Sequence, residues 1–162
     1  MAPRHRGIVV GLGNPILGDD GVGWWVTDLV ERVIGSTHAD ADVDRAAVGG
    51  LGLMERLVGY DRAVIVDAIC TGRTPVGTVR QLPLETLADP ECEHAASAHD
   101  VSLAPALAAG RALGVDLPAR VTIVAVEVAP SSGCSDHLTP EVAAAVPFAA
   151  TLALQAVIAE SH

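Results

Sequence analysis

The chain has 162 residues and a formal charge of −10, with half of its residues apolar and only 2% aromatic. That length suits a single domain, 1–162, with a proper core, and the charge argues against nucleic acid or an anionic membrane as partner. With so few aromatics, the core must be built from Val, Leu, Ile and Ala.

From the N-terminus, the basic MAPRHR is followed by too short an apolar run for a signal peptide. Gly7–Val10 reads as a buried strand. Gly11–Gly23, GLGNPILGDDGVG, turns the chain into a first helix, whose Val22, Trp25, Val26, Leu29, Val30 and Val33 recur at helical spacing up to Gly35. Ala41–Val48 reads as a second strand, Gly49–Gly52 as a turn and Leu53–Val58 as a short helix. Arg62–Ile69, RAVIVDAI, is the strongest strand signal, an apolar run broken by Asp67. Gly77–Leu82 suggests an additional strand at an edge, and Pro83–Ala98 a polar loop. A helix starts near Ser102 with Pro105 in its first turn, where a missing amide hydrogen does no harm. Arg120–Val128 is another buried strand. Pro130–Leu138 is a loop, and Thr139 caps a last helix with Pro140 at its first position.

Val142–Ala159 carries no charged residue and is long enough to resemble a membrane span. Its apolarity rests on alanine, and Val146, Ala150, Leu154, Val157 and Ile158 share one helical face, so a helix packed on a sheet is expected rather than a membrane anchor. Strands alternating with helices imply a three-layer α/β/α sandwich with a largely parallel twisted sheet.

The glycine-rich turn resembles two phosphate-binding loops and fails both on charge. Ile16 stands where the dinucleotide fingerprint needs its third glycine. Asp19 and Asp20 stand where the phosphate loop needs lysine and a hydroxyl. Carboxylates at the positive end of a helix repel a pyrophosphate and suit a cation. Asp19 reads as the helix N-cap, which leaves Asp20 over. Asp67 is the second candidate, since a carboxylate inside an apolar strand is costly unless it is paired or holds a metal; capping of a nearby backbone group is the plainer alternative. In parallel neighbours both acids emerge at the carboxyl end of the sheet, where ligands bind. His99, in the loop before the next helix, is the third, although a loop histidine is commonly just a surface residue. Two carboxylates and an imidazole suit zinc, nickel or ferrous iron with positions left open.

Cys92 and His94 lie among glutamates and read as a solvated loop. The three cysteines, Cys70, Cys92 and Cys134, form no CxxC pair, so neither a zinc ribbon nor a disulfide framework is indicated; reduced thiols in a cytoplasmic protein are expected. Cys70 is a conceivable nucleophile with His99 as base, but a buried structural cysteine is the commoner case.

Taken in order, Gly11–Gly23, Gly49-Gly50-Leu-Gly-Leu-Met-Glu55, Val66-Asp67-Ala68, Ser97-Ala-His99 and Leu138-Thr-Pro-Glu-Val142 resemble the motifs of the nickel–iron hydrogenase maturation proteases over nearly the whole chain. The resemblance implies the hydrolase-like α/β sandwich of that family. It also implies an endopeptidase that removes the C-terminal extension of a hydrogenase large-subunit precursor once nickel is in place, with Asp20, Asp67 and His99 at the metal-contacting positions. Nickel would be presented by the precursor, and a cytoplasmic monomer is expected. Val48 and Ser102 depart from the aspartate and glycine common in the family. Rival readings are a non-enzymatic nickel-binding accessory protein, a nucleotide-binding domain and a metal-independent cysteine peptidase.

Overall fold

The computed structural model describes residues 6–85, 102–130 and 133–159. Five strands form one sheet in the order β2-β1-β3-β5-β4. They are β1 (Gly7–Leu12), β2 (Ala41–Ala46), β3 (Arg62–Ile69), β4 (Val79–Pro83) and β5 (Arg120–Glu127). The first three and β5 are parallel, and β4 runs antiparallel to β5 at the edge. The strands with continuous apolar runs, β1 and β3, are central and buried throughout, since a parallel strand is covered on both faces. The other edge strand, β2, carries Asp42, Asp44 and Arg45. These pair with Arg6, Tyr60, Arg56, Asp28 and Glu31, a charged edge that discourages pairing with another chain.

Alternation along the strands sorts the core into two layers. On one face Ile8, Val10, Leu12, Ile65 and Ile123 pack against α2 (Gly50–Arg56) and α3 (Leu103–Ala112) through Leu53, Met54, Leu103 and Leu107. On the other, Val9, Val64, Val66, Val124 and Val126 pack against α1 (Val22–Thr37) and α4 (Pro140–Ile158). The short helix α2 begins earlier than its apolar pattern suggests, at Gly50, and ends at Arg56.

By length and mean hydropathy, 1.7, α4 is the one described helix that could cross a membrane, yet it covers the sheet. Its buried residues are Val142, Ala145, Ala149, Ala150, Ala153 and Val157, whereas Val146 and Leu154 are only half-buried and Ile158 is exposed. The face turned inward is thus the alanine face, rotated from the expected Val146–Ile158 stripe. Methyl side chains let the helix lie close to a valine-covered sheet, and close packing outweighs the hydrophobicity of any one residue.

Candidate functional site

The turn after β1 is locked in shape before any ligand arrives. Gly13 has φ +124°, and a Cβ there would stand 1.9 Å from the Asp20 carbonyl oxygen, so only glycine fits. Gly13 N–H donates to Ala46 O (3.1 Å), tying the turn to the end of β2. Asn14 Oδ1 accepts from Ile16 N–H (3.1 Å), a local side-chain turn. The 3-10 turn Gly18–Gly21 follows and leads into α1. At Gly23 a Cβ would meet Val66 O at 2.4 Å and Leu12 O at 2.5 Å, so the start of α1 sits directly over the ends of β1 and β3.

This geometry brings Asp20 to the same sheet end as Asp67. Asp20 Oδ2 accepts the Asn14 N–H at 2.7 Å. Asp67, near the end of β3, is 1% exposed, and its Oδ1 accepts the Ala68 N–H at 2.8 Å. The backbone-capping alternative therefore describes part of what each carboxylate does. It also fixes their orientation, as outer-shell bonds do for metal ligands.

Asp19 is not a helix cap. Neither the 3-10 turn nor α1 has a side-chain cap. Instead Asp19 Oδ1 accepts from Thr139 N–H and Oδ2 from Thr139 Oγ1, both at 2.8 Å. Thr139, the expected cap of α4, gives its hydroxyl to Asp19 and makes no side-chain cap bond to its own helix. Ser135 reinforces the junction: Gly18 N–H donates to Ser135 O (2.7 Å) and Ser135 N–H to Ile16 O (2.9 Å). The 133–139 loop is thereby laid alongside the glycine-rich turn, with Cys134 and His137 exposed.

His99, like Cys92 and His94, lies outside the described residues. Among the described residues no group of three or more His, Cys, Asp or Glu is placed to hold a metal ion, so Asp20 and Asp67 do not make a closed site by themselves. As donors they fit: two oriented carboxylates plus an imidazole are a normal environment for a borderline divalent ion. Cys70 is exposed at the end of β3, contrary to the buried structural cysteine expected.

Glu127, at the end of β5, was absent from the candidates although it carries the same signal as Asp67, an acid in an apolar strand. It is 1% exposed and accepts the Thr71 N–H at 3.2 and 3.1 Å, with Thr71 Oγ1 as a further donor. Burial pushes its carboxyl up, but these hydrogen bonds win and hold it below the ordinary glutamate value. It pins the segment that leaves β3 beyond Asp67. Two surface clefts, about 380 Å³ beside Pro83 and Arg120 and about 500 Å³ beside Asp44 and Tyr60, lie at the sheet edges and include neither Asp20 nor Asp67.

The sequence model of HycI, hydrogenase maturation protease, matches residues 43–156. The chain belongs to the hydrogenase maturation protease family. The Methanocaldococcus jannaschii protein MJ0253, itself assigned to these proteases, is 33% identical over 102 residues, 62% of this chain and 64% of its own; the match thus spans under two thirds of that relative. Among solved structures, the hydrogenase maturating endopeptidase HybD of E. coli has a TM-score of 0.69 at 26% identity, covering 93% of this chain and 91% of its own. The [NiFe] hydrogenase maturation protease HybD of Thermococcus kodakarensis, at 22% identity, shares the fold with a TM-score of 0.73 over 94% and 99% of the two chains. The mostly parallel five-stranded sheet flanked by helices is the fold of these maturation proteases.

Proposed function

We propose that the protein is an endopeptidase that removes the C-terminal extension of a nickel–iron hydrogenase large-subunit precursor after nickel insertion. Nickel, as cargo of the precursor, is recognised through Asp20, Asp67 and His99. Family membership gives the reaction class. The observation that carries the reading is the location of Asp20 and Asp67 at one sheet end, each held by a backbone N–H. Two residues, Asp100 and Val101, stand between His99 and Ser102 in the sequence, a chain length of at most about 10 Å. Ser102 in turn lies against the start of α2, where a Cβ on Gly50 would be 3.6 Å away, on the layer and sheet end that Asp67 faces.

A metal held jointly by precursor and protease fixes the scissile peptide beside the carboxylates. Such positioning supplies roughly 7–11 kcal/mol of the barrier at best. It also makes cleavage wait for a loaded client. The exposed rim of Ile16, Val48 and Leu51 around the glycine-rich turn and the start of α2 suits a protein substrate better than a small molecule. We propose a cytoplasmic location, in keeping with three widely spaced cysteines, Cys70, Cys92 and Cys134, that form no CxxC pair.

The test is incubation with nickel-loaded and nickel-free precursor. The wild type is expected to shorten only the loaded form, and Asp67→Asn neither. A wild type that binds nickel yet leaves loaded precursor intact would point instead to a non-enzymatic accessory protein.

A further inference from the structure

Both ends of one surface loop close on Glu127. Loop 70–78 begins three positions after Asp67 and leads into β4. At its start, the Glu127 carboxylate accepts the Thr71 N–H at 3.2 and 3.1 Å and the Thr71 hydroxyl. That hydroxyl in turn accepts the Arg73 N–H at 3.0 Å. At its end the Glu127 main chain takes over: its N–H donates to Thr78 O and its carbonyl accepts the Gly77 N–H, both at 2.8 Å. Surface loops whose ends are drawn together on a rigid scaffold are a common seat of binding.

The loop stands at the mouth of the candidate site. The register pairs Asp67 with Ala125 and Ile69 with Glu127. Ile69 and Ala125 both face the α2–α3 layer, so by alternation Asp67 and Glu127 share that face. They are diagonal neighbours, one strand over and two residues along, with Glu127 nearer the open end of the sheet. A chain that reaches Asp67 from that end passes the loop, where Cys70, Gly72, Arg73 and Pro75 are exposed. The far end of the loop is fixed as well. Gly77 has φ +88°, and a Cβ there would stand 2.6 Å from the Glu141 carbonyl oxygen. The loop is thus seated on the first turn of α4, next to the Thr139 that Asp19 holds. Glu127 is 1% exposed, and a carboxylate at that depth is a poorer source of stability than an apolar side chain of its volume. What its bonds secure is a single shape of the loop.

We propose that loop 70–78 is a wall of the client-binding site, lying against the precursor chain beside the cut, and that Glu127 is the positioning residue that holds this wall in shape. The proposal rests on the protease reading for the identity of the client. Glu127 acts through Thr71 and touches no substrate. It therefore helps to hold the precursor and takes no part in bond cleavage, so its loss is read in KM and not in kcat.

Steady-state trimming of nickel-loaded precursor tests it, at a temperature well below the melting point of every variant. Glu127→Gln replaces one acceptor oxygen by an amide N–H2 that faces donors, and Thr71→Val removes the hydroxyl relay. Each is expected to raise KM about tenfold, with kcat within about twofold of wild type. A purely structural Glu127 would lower the melting temperature and leave KM unmoved. Cys70→Trp lies outside these bonds and crowds the exposed side of the wall. It is expected to raise KM by a similar factor at an unchanged melting temperature, and it decides alone should Glu127→Gln fail to fold. An unchanged KM in the folded variants, or a loss confined to kcat, would overturn the assignment. Should wild type leave the loaded precursor intact, its Kd for that precursor replaces KM. A weakening of about tenfold in the same variants then sinks the protease reading and keeps the wall, whereas an unchanged Kd sinks both.

Discussion

Asp19 and Thr139 lie 120 residues apart in the chain and are joined by two hydrogen bonds, each 2.8 Å, from the Thr139 amide and hydroxyl to the two Asp19 oxygens. The contact fastens the first turn of the molecule to the entry of its last helix. Asp19→Ala removes both acceptors at a half-buried position, for which a cost of about 1–2 kcal/mol is expected. For a domain of this size that is a fall of about 2–8 °C in melting temperature, readable by calorimetry. Asp19→Asn keeps one acceptor and should fall between the two. Precursor trimming should slow in step with the loosened turn and not vanish.

Asp67 is expected to behave in the opposite way. Asp67→Asn retains a carbonyl oxygen for the Ala68 N–H, so its melting temperature should stay close to wild type. Trimming of loaded precursor should drop by about 100-fold or more, the usual cost of removing a preorganised charged group from a reacting centre. Time-resolved gels of the precursor, alongside a thermal melt, separate the two effects.

Gly13 tests whether the shape of the turn matters as much as its charges. A methyl group there would overlap the Asp20 carbonyl at a backbone angle that side chains rarely adopt. Gly13→Ala is expected to cost about 2–3 kcal/mol through strain and displacement and to abolish trimming, because the displaced group is Asp20 itself. Full activity at an unchanged melting temperature would show that the turn has no fixed shape.

Glu127 gives a prediction in pH. Its carboxyl is held below the ordinary value by the bonds from Thr71 after burial has been overcome. A depressed value in the folded state means stability that is present above the unfolded value, about 4.3, and is lost as pH falls through the folded one. Melting temperatures of wild type and Glu127→Gln should therefore differ most near neutral pH and converge below about pH 4.

The sequence revealed what is local or periodic. RAVIVDAI reads as a buried strand because both faces of a central parallel strand are covered, and Asp67 stands out in it for the same reason. Glu127 in RVTIVAVEV carried an equal signal that went unread. Pairings across the chain were not legible: nothing near Asp19 announces Thr139, and a carboxylate opening a helix ordinarily caps it. The buried face of α4 was misjudged because hydrophobicity alone favours valine and leucine, whereas a helix lying close on a sheet selects alanine. The register that sets Asp67 of β3 beside Ala125 of β5 depends on strand order, which no stretch of sequence encodes by itself.

The proposal that Asp20, Asp67 and His99 take one ion together is tested most directly by a crystal structure of the protein soaked in nickel or cadmium. The expected result is a single ion with oxygen atoms of Asp20 and Asp67 and a ring nitrogen of His99 at about 2.0–2.4 Å, with open positions facing solvent beside the glycine-rich turn. An ion held elsewhere, for instance by Cys134 and His137, with the two aspartates left uncoordinated, would contradict it.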